Sequence, residues 1–317
     1  MSDDESRDTT AAKQEPHRRQ QRLVERVLAE LAKLDASPPK PGLHIVATPI
    51  GHLGDITLRA LAVLADADVI YCEDTRHSRT LAQHFGLGAP LKPYHDHNGE
   101  VARPRVLADL AAGKCVALIS DAGTPLISDP GYKLVRAAVE AGHHVESLPG
   151  ASAALTALTV AGLPTDTFLF AGFLPAKSAA RQARLAELKA VPATLIFFEA
   201  PQRLGETLAD LAAVLGDRPA AVARELTKLH EEVRRGSLAE LARGAAQAEA
   251  RGELVLVIGP PSATEASDDD IRAALGTALA EMSLRDAAKV VAETLGVTKS
   301  RVYDLGLKLK EAARHRS

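Results

Sequence analysis

The sequence predicts an α/β protein of two domains that carries an additional helical segment at its C-terminal end. Apolar strand-like runs alternate with amphipathic helical runs from Leu43 onward, a pattern typical of a largely parallel sheet with right-handed crossovers. The pattern changes near Pro164, where a second set of strand-like runs begins, so we expect a domain boundary at about residue 165. The 317 residues are 46% hydrophobic but only 3% aromatic, which allows sizeable cores built mainly from aliphatic side chains.

An N-terminal extension and the first domain precede this boundary. We treat residues 1–40 as accessory: residues 1–21 are polar and unpatterned and are expected to be unstructured, whereas Leu23–Leu34 has the apolar spacing of a short amphipathic helix. The first domain spans residues 41–164. Its predicted elements are, in chain order, the strand LHIVATP, the helix GDITLRALAVLADA, the strands ADVIYCED and KCVALIS, the helix YKLVRAAVEAG and the strand HHVESLP.

The second domain, residues 165–260, is followed by a linker at 261–270 and a helical tail at 271–317. In the tail, GVTKS separates two amphipathic segments, as in a helix-turn-helix in which Gly296 makes the turn and Thr298 or Ser300 caps the second helix. Six cationic and two acidic residues lie between positions 299 and 316, so the end of the tail is basic. The four strands predicted in the second domain are TFLFAGFLP, ATLIFFEA, AAVARELT and ELVLVIGP.

Composition excludes several classes of protein. The two cysteines, Cys72 and Cys115, lie in apolar runs and are expected to be free, buried thiols in a reducing cytoplasm. No Cys/His spacing suggests zinc, no apolar run is long enough to span a membrane, and the N-terminus does not resemble a secretory signal. The formal net charge is −3, so a polyanionic partner would have to bind a local basic patch.

Three loops follow predicted strands of the first domain and are rich in glycine and proline. SDAGTPLISDPG is the most informative, because Asp121 stands at the carboxyl end of a strand, where open α/β sheets bind ligands. Its carboxylate suits ribose hydroxyls or a ligand amine, whereas Asp129 is expected only to cap the following helix. The loops TPIGHLGDIT and PGASAALTAL either approach the same ligand or simply connect elements; neither contains GxGxxG or the phosphate-binding GxxxxGK[ST] sequence.

Four further motifs bring charged residues together. EDTRHSR, at 73–79, suits phosphate contacts or a solvated helix start, and YHDHNGE, at 94–100, lacks the further ligands that a metal site would need. FFEAPQRL, at 197–204, and ARELTKLHEE, at 223–232, each follow a predicted buried strand. Their charged side chains either line a cleft between the domains or form an ion-pair network.

Together these motifs resemble, in type and order, those of RsmI-type enzymes, the 16S rRNA (cytidine-2′-O)-methyltransferases with the tetrapyrrole-methylase fold. The resemblance covers about residues 43–260, and the helical tail is similar to the C-terminal helix-turn-helix of that family. It implies two α/β domains with S-adenosylmethionine in the cleft between them, a homodimer, and a substrate in the small ribosomal subunit. The implied target is the ribose of a decoding-centre cytidine, cytidine 1402 of the 16S rRNA.

The resemblance also implies which residues surround the cofactor. Eight of them lie in the first domain and two in the second. They are Pro49, Asp121, Gly123, Thr124, Leu126, Ile127, Ala151 and Ser152, with Phe198 and Leu226 on the opposite side.

The chemistry of methyl transfer to a ribose hydroxyl suggests further roles. The protein must align the 2′-oxygen with the methyl carbon and sulfur, and a base or a cation favouring the alkoxide would help. No metal is required. The sequence does not choose among the candidates, which are Arg76, Glu199, Lys228 and Glu231, with Asp74 as a further possibility. For RNA phosphates we expect contacts from Arg76, Arg79 and Arg203 and from Lys299 and Arg301 in the tail.

Two departures from the family pattern are present, and three other functions compete with this interpretation. Gln202 replaces a usual histidine, and Gly99 stands where a glutamate usually follows HDHN, so a mechanism that needs either side chain is in doubt.

The nearest alternative is a methylase of the same fold that acts on a tetrapyrrole or another small molecule. A nicotinamide oxidoreductase would need the missing GxGxxG, and a DNA-binding regulator would use the helix-turn-helix with a ligand-sensing domain.

Overall fold

The chain forms two five-stranded sheets and a separate helical tail in the computed structural model, which describes residues 5–95, 98–128, 131–245, 251–261 and 268–314. The described helices include none with the length and apolar character needed to cross a lipid bilayer.

The first sheet is entirely parallel, with strand order β3-β2-β4-β1-β5, as the alternation of strands and helices predicts. Successive side chains alternate between two apolar layers, each covered by two helices. Cys72 and Cys115 are free and buried, as predicted, and burial raises the pKa of Cys115 to about 11. The strands are β1 Gly42–Val46, β2 Val69–Cys72, β3 Leu91–Pro93, β4 Cys115–Ile119 and β5 Val145–Leu148; α2 Leu58–Asp66 and α3 Thr75–Phe85 cover one face, and α4 Gly99–Ala111 and α5 Tyr132–Glu140 the other.

The second sheet is mixed, with strand order β6-β7-β10-β8-β9 and parallel pairing only between β6 and β7. The edge strand β9 was not predicted, because its sequence EVRRGS is polar and half exposed. Helices α7, α8 and α9 cover one face. The elements are β6 Phe168–Phe173, α7 Ser178–Leu188, β7 Thr194–Glu199, α8 Leu204–Leu215, β8 Pro219–Arg224, β9 Glu232–Ser237, α9 Leu238–Ala245 and β10 Leu254–Ile258.

The other face of the second sheet is covered by α6 (Ala153–Ala161), which precedes the expected boundary at 165. Ala154, Ala157 and Ala161 are buried there, and their small side chains let the helix approach the strands closely. Ile50, from the loop after β1, enters the same apolar layer. Sequence position therefore assigns α6 to the first domain, but packing assigns it to the core of the second sheet.

The N-terminal extension differs from expectation, since one helix, α1, runs over Glu5–Asp35. It includes most of the stretch expected to be unstructured, so that prediction was wrong for residues 5–21. The predicted amphipathic face is buried only in part: Val27, Leu31 and Leu34 are partly buried and α1 packs against α2, whereas Leu23, Val24 and Leu28 are exposed. The stretch AAKQE consists of strong helix formers, which favour a helix even though the stretch has no amphipathic pattern.

The tail is a three-helix unit with its own apolar core. Its helices are α10 Asp268–Ala278, α11 Leu284–Leu295 and α12 Lys299–Arg314, so the first begins inside the stretch predicted to be a linker. Gly296 ends α11 in the left-handed conformation, with φ of 64°, which confirms its predicted role in the turn. Thr298 directly precedes α12, whereas Ser300 lies inside it.

Candidate active site

Three loops at the carboxyl edge of the first sheet are tied to one another. The backbones of Thr48 and Gly123 exchange two hydrogen bonds, of 2.9 and 3.0 Å. The Thr124 hydroxyl donates to the carbonyl of Ala151 at 3.0 Å, which joins the second loop to the third. The loops TPIG, SDAGTP and PGAS thus form one wall.

The loop after β4 has an unusual backbone. Leu126 and Ser128 have φ values of 72° and 65°, a backbone region that residues other than glycine rarely adopt. Gly123 also has a positive φ, and a Cβ there would lie 3.2 Å from Ile50 Cγ2. The residue at 123 must therefore be small for this loop to approach the loop after β1.

A cavity of about 410 Å³ separates this wall from the second sheet. Its lining is mainly apolar, and Phe173 and Phe198 contact each other there at a ring-centroid distance of 5.6 Å. An apolar cavity of this size with few polar groups is typical of a small-molecule site. Six of the ten predicted cofactor residues line it: Asp121, Gly123, Thr124, Ile127, Ser152 and Phe198.

The other four predicted cofactor residues lie elsewhere. Pro49 lines a neighbouring cavity, Leu126 packs against the core of the first domain, and Ala151 accepts the hydrogen bond from Thr124. Leu226 is buried in the layer between the domains. These residues shape the walls, but they do not line the larger cavity.

The second cavity, of about 350 Å³, adjoins the first. It is bordered by polar groups that include His77, Ser78 and Lys228. The two cavities share four lining residues, so a group bound in one can meet a group bound in the other. The shared residues are Ile50, Asp121, Ala122 and Glu253.

Asp121 connects two strand ends of the first sheet. Its Oδ1 accepts a hydrogen bond from the backbone N–H of Asp74 at 3.0 Å. Asp74 in turn begins α3 by accepting from the N–H of Arg76 at 2.8 Å, and its carboxylate pairs with the Arg76 side chain at 2.7 Å. The Arg76 side-chain hydrogen bond is the main cause that lowers the pKa of Asp74 to about 2.

Lys228 lies at the second wall in a network of two carboxylates. Its Nζ donates to Glu225 Oε1 at 2.9 Å and lies 3.2 Å from Glu253 Oε2. Burial acts to lower the pKa of Lys228, but the hydrogen bonds and charges of Glu225 and Glu253 outweigh it, and the pKa is raised. The side chain is therefore a cation at neutral pH and cannot accept a proton there.

The backbone around Lys228 is also in rare conformations. Glu225 and Thr227 have φ values of 50° and 65°, and Gly252 has 83°. A Cβ on Gly252 would lie 2.6 Å from Glu225 Cγ and still closer to its carboxyl group. Across the cleft, the N–H of His52 donates to the Thr227 hydroxyl at 3.1 Å, so this turn is joined to the first domain.

Three predicted site residues make hydrogen bonds within the second domain. Glu199 is buried, and its oxygens accept from the N–H of Ala200 at 2.8 Å and the hydroxyl of Thr207 at 2.6 Å. Arg203 donates from Nη2 to the carbonyls of residues 174 and 175, at 2.8 and 3.1 Å, which does not support a phosphate contact. Glu231 accepts from the N–H of Thr227 at 2.6 Å. These contacts stabilise loops, and Glu199 also lines the larger cavity; the catalytic roles expected of Glu199 and Glu231 and the RNA contact expected of Arg203 stay predictions.

The remaining cationic residues named for RNA are on the surface. Arg76 is exposed but paired with Asp74, and Arg79 is exposed on α3. Lys299 is exposed at the start of α12, whereas Arg301 pairs with Asp268 at 2.9 Å and so helps to join α12 to α10.

The two family departures have different surroundings. Gln202 is exposed. Gly99 is buried at the start of α4, where a Cβ would contact the Tyr94 hydroxyl at 3.7 Å. Asp96, His97 and Asp129 lie outside the described residues; within the described ranges no group of three or more His, Cys, Asp or Glu side chains is placed to hold a metal ion.

Sequence reasoning missed Glu253 and Phe173 as lining residues. Glu253 precedes β10, and β10 runs antiparallel to β7 and β8, so its beginning lies at the edge where those two strands end. In a parallel sheet all residues at the carboxyl edge follow strands, but in an antiparallel sheet residues that precede a strand also lie at that edge. Recognising β9 would have provided the signal for an antiparallel sheet.

Comparison with known proteins identifies similar chains. The family model described as Tetrapyrrole (Corrin/Porphyrin) Methylases matches residues 42–242, and the model described as RsmI C-terminal HTH domain matches residues 265–310. The Mesorhizobium japonicum protein called ribosomal RNA small subunit methyltransferase I is 50% identical over 283 residues, which cover 89% of this chain and 96% of that protein. The protein of the same name from Escherichia coli O157:H7 is 48% identical and is covered over 94% of its length, with 84% of this chain.

Solved structures show the same fold at lower identity. A uroporphyrin-III-C-methyltransferase from Thermus thermophilus superposes with a TM-score of 0.50 at 24% identity, covering 69% of this chain and 94% of that one. A diphthine synthase gives a TM-score of 0.55 at 18% identity, covering 68% and 89%. This likeness confirms the two-domain α/β architecture predicted from the sequence.

Proposed function

This chain belongs to the tetrapyrrole (corrin/porphyrin) methylase family, and from that premise we propose that it methylates the 16S rRNA of the small ribosomal subunit at the 2′-oxygen of a decoding-centre cytidine, cytidine 1402. It is a methyltransferase whose methyl donor is S-adenosylmethionine. The RNA substrate is supported by the two relatives of about half-identical sequence, both called ribosomal RNA small subunit methyltransferase I. The ribose oxygen and the cytidine come from the resemblance of the motifs.

The larger cavity fits the methyl donor. Its apolar surface and the paired rings of Phe173 and Phe198 suit an adenine, and Asp121 is a carboxylate acceptor for ribose hydroxyls. The close approach at Gly123 brings backbone groups to the same cavity. When bound, the donor supplies an electrophilic methyl group on a sulfonium; the chain's own residues must hold the acceptor in line with it.

The second cavity is the proposed place of the acceptor nucleoside. It adjoins the first at Asp121 and Glu253, and its polar groups suit a ribose and a base turned out of the RNA. Lys228 is the cation available there. Because its pKa is raised, it stabilises negative charge that develops on the 2′-oxygen and does not itself remove the proton, which passes to solvent water. Of the catalytic candidates, Lys228 is therefore the one that the geometry favours.

The three-helix tail is proposed to bind RNA through its basic end. It folds around its own core, so its removal leaves both sheets with their packing. We expect a chain that ends at residue 261 to bind small subunits more weakly and with a smaller dependence on salt. Unchanged affinity and salt dependence would exclude this role. A homodimer and a cytoplasmic site of action complete the proposal, both from the family resemblance.

The decisive test is transfer of a labelled methyl group. The protein is incubated with labelled S-adenosylmethionine and small subunits that lack the modification, and the modified nucleotide is mapped. We expect label in 16S rRNA on a cytidine ribose, in a form resistant to alkaline cleavage at that position because the 2′-oxygen is blocked. Label on a base, or transfer to a tetrapyrrole and not to rRNA, would contradict the proposal.

A further inference from the structure

An arginine-rich surface on α1 lies outside both family matches and has no part in the site described so far. Arg18, Arg22 and Arg26 are all exposed and follow one another at intervals of four residues. In a helix this spacing places them along one side, about 6 Å apart. Five cationic side chains and only two carboxylates, Glu25 and Glu30, lie between positions 18 and 33.

The apolar side of α1 fixes this helix to the first domain. Among residues 18–35, only Val27, Leu31 and Leu34 are partly buried, and α1 packs against α2. Glu30 is already paired with Lys33 at 2.6 Å, toward the C-terminal end. The three arginines precede Val27, in the stretch 18–26 where every residue is exposed, so they project from a part of the helix that the rest of the protein does not cover.

The short connection to β1 and the contact with α2 limit where α1 can lie on the first domain. Only six residues, three of them proline, connect Asp35 to the start of β1, which places the C-terminal end of α1 at the amino edge of the first sheet. The helix has 31 residues, about 46 Å, whereas α2 has nine, about 14 Å. Placed lengthwise along α2, against which it packs, α1 would extend beyond the start of α2 in the part before Val27, toward the carboxyl edge where both cavities lie.

The exposed Arg79 lies in the same layer. It belongs to α3, and α2 and α3 cover the same face of the first sheet. With α1 placed in this way, its arginines and Arg79 would lie on the same face of the first domain, and His77, near the start of α3, lines the second cavity. A surface with this charge and position fits a polyanion that enters the cleft.

We infer that α1 is a second RNA-binding element, in which Arg18, Arg22 and Arg26 contact phosphates of the substrate RNA beside the cleft. This inference rests on the proposed function, because the RNA that α1 holds is the RNA that is methylated. Guanidinium groups form bidentate hydrogen bonds with phosphate, and such contacts add affinity that does not depend on the RNA sequence. The role of α1 is to raise the affinity for the small subunit and not to take part in methyl transfer.

The test compares two triple variants of the full chain. In the first, Arg18, Arg22 and Arg26 are changed to Gln; in the control, the exposed Arg105, Arg136 and Arg184 are changed to Gln, which alters the net charge equally. Arg105 and Arg136 lie on the helices that cover the opposite face of the first sheet. Dissociation constants for undermethylated small subunits are measured at several salt concentrations, with labelled methyl transfer as a second readout.

We expect the first variant to reduce the magnitude of the negative slope of log K, where K is the association constant, against log salt concentration by about 2, because each lost phosphate contact removes roughly 0.7–0.9. This corresponds to weaker binding by one to two orders of magnitude near physiological salt. KM for the small subunit should rise, while kcat at saturating RNA and affinity for S-adenosylmethionine stay unchanged. The control should retain the slope of the original chain.

Four results would overturn the inference. An unchanged slope in the first variant excludes phosphate contacts by α1, and an equal change in the control shows a general charge effect only. Loss of a dimer in the first variant, with unchanged RNA affinity per subunit, would assign α1 to contact between copies. If the original chain methylates no small-subunit RNA at all, the proposed function fails, and this inference fails with it.

Discussion

Replacing Gly252 by alanine tests whether the close contact with Glu225 controls the turn that holds Lys228. The positive φ of 83° disfavours any side chain, at a cost of about 1–2 kcal/mol. The new Cβ would also lie 2.6 Å from Glu225 Cγ, and such overpacking costs about 1–3 kcal/mol. We therefore expect Gly252→Ala to lower the free energy of unfolding by about 2–5 kcal/mol, measured by urea denaturation.

Gly142→Ala is the matched control, because Gly142 has a similar φ of 77° and nothing within 4 Å of its Cβ position. It should show only the backbone cost, about 1–2 kcal/mol. In the double variant Glu225→Ala/Gly252→Ala the crowded carboxyl group is gone, so the double variant should be more stable than the sum of the single effects by about 1–3 kcal/mol. If Gly252→Ala costs no more than Gly142→Ala, or if the two substitutions are additive, the steric argument is refuted.

Further predictions concern the charge on Lys228, the pH dependence of its carboxylate partner, and the aromatic wall. Lys228→Met should lower kcat by about 10²-fold in the labelled methyl-transfer assay, with Lys228→Arg retaining part of the activity; an equal loss in both would point to shape and not to charge. The backbone hydrogen bond from Glu253, and after it the Lys228 side chain, lower the pKa of Glu225 from its usual 4.5. The ionised Glu225 therefore stabilises the folded chain fully above about pH 4.5, and this stabilisation disappears as the pH falls through the lower pKa of the folded state. Glu225→Gln should accordingly lower the free energy of unfolding above about pH 4.5 and have a diminishing effect at lower pH. A pH-independent difference in unfolding free energy between Glu225→Gln and the original chain would contradict that assignment. Phe173→Ala should weaken binding of S-adenosylmethionine about fivefold by calorimetry, since an aromatic contact contributes about 1 kcal/mol, whereas Phe168→Ala, which removes a ring that does not line the cavity, should not.

The parallel sheet and its ligand loops were predictable because each signal is local. A buried strand followed by a glycine-rich loop places Asp121 and Gly123 at a carboxyl edge, and neighbouring parallel strands bring their loops to the same edge. The structure places TPIG, SDAGTP and PGAS together, as this rule requires. The sequence did not show which residues of a loop line the cavity: Leu126 and Ile127 are adjacent, yet Leu126 packs against the core of the first domain and Ile127 lines the larger cavity.

The second domain was harder to predict because its site depends on pairing between distant segments. Glu199 ends β7, Glu231 directly precedes β9, and Lys228 lies between β8 and β9. Nothing in the sequence shows that backbone N–H groups already donate to the carboxylates of Glu199 and Glu231. Glu253 enters the site only because β10 is antiparallel to its neighbours. Charge type therefore identified the candidates, whereas the hydrogen-bond partners of Glu199, Glu231 and Lys228 depend on tertiary contacts, which the sequence does not contain.

Backbone strain in the described chain is concentrated at the two walls of the site. The four residues other than glycine with positive φ lie in two loops: Leu126 and Ser128 follow β4, and Glu225 and Thr227 follow β8. Such conformations cost about 1–3 kcal/mol each and persist only where the surroundings determine them. Here the surroundings are the cross-loop contacts themselves, since His52 binds the Thr227 hydroxyl and Glu253 binds the Glu225 carboxylate. The regular strands and helices on both sides offset this cost, which lets two irregular loops hold Asp121 and Lys228 against adjoining cavities at fixed positions.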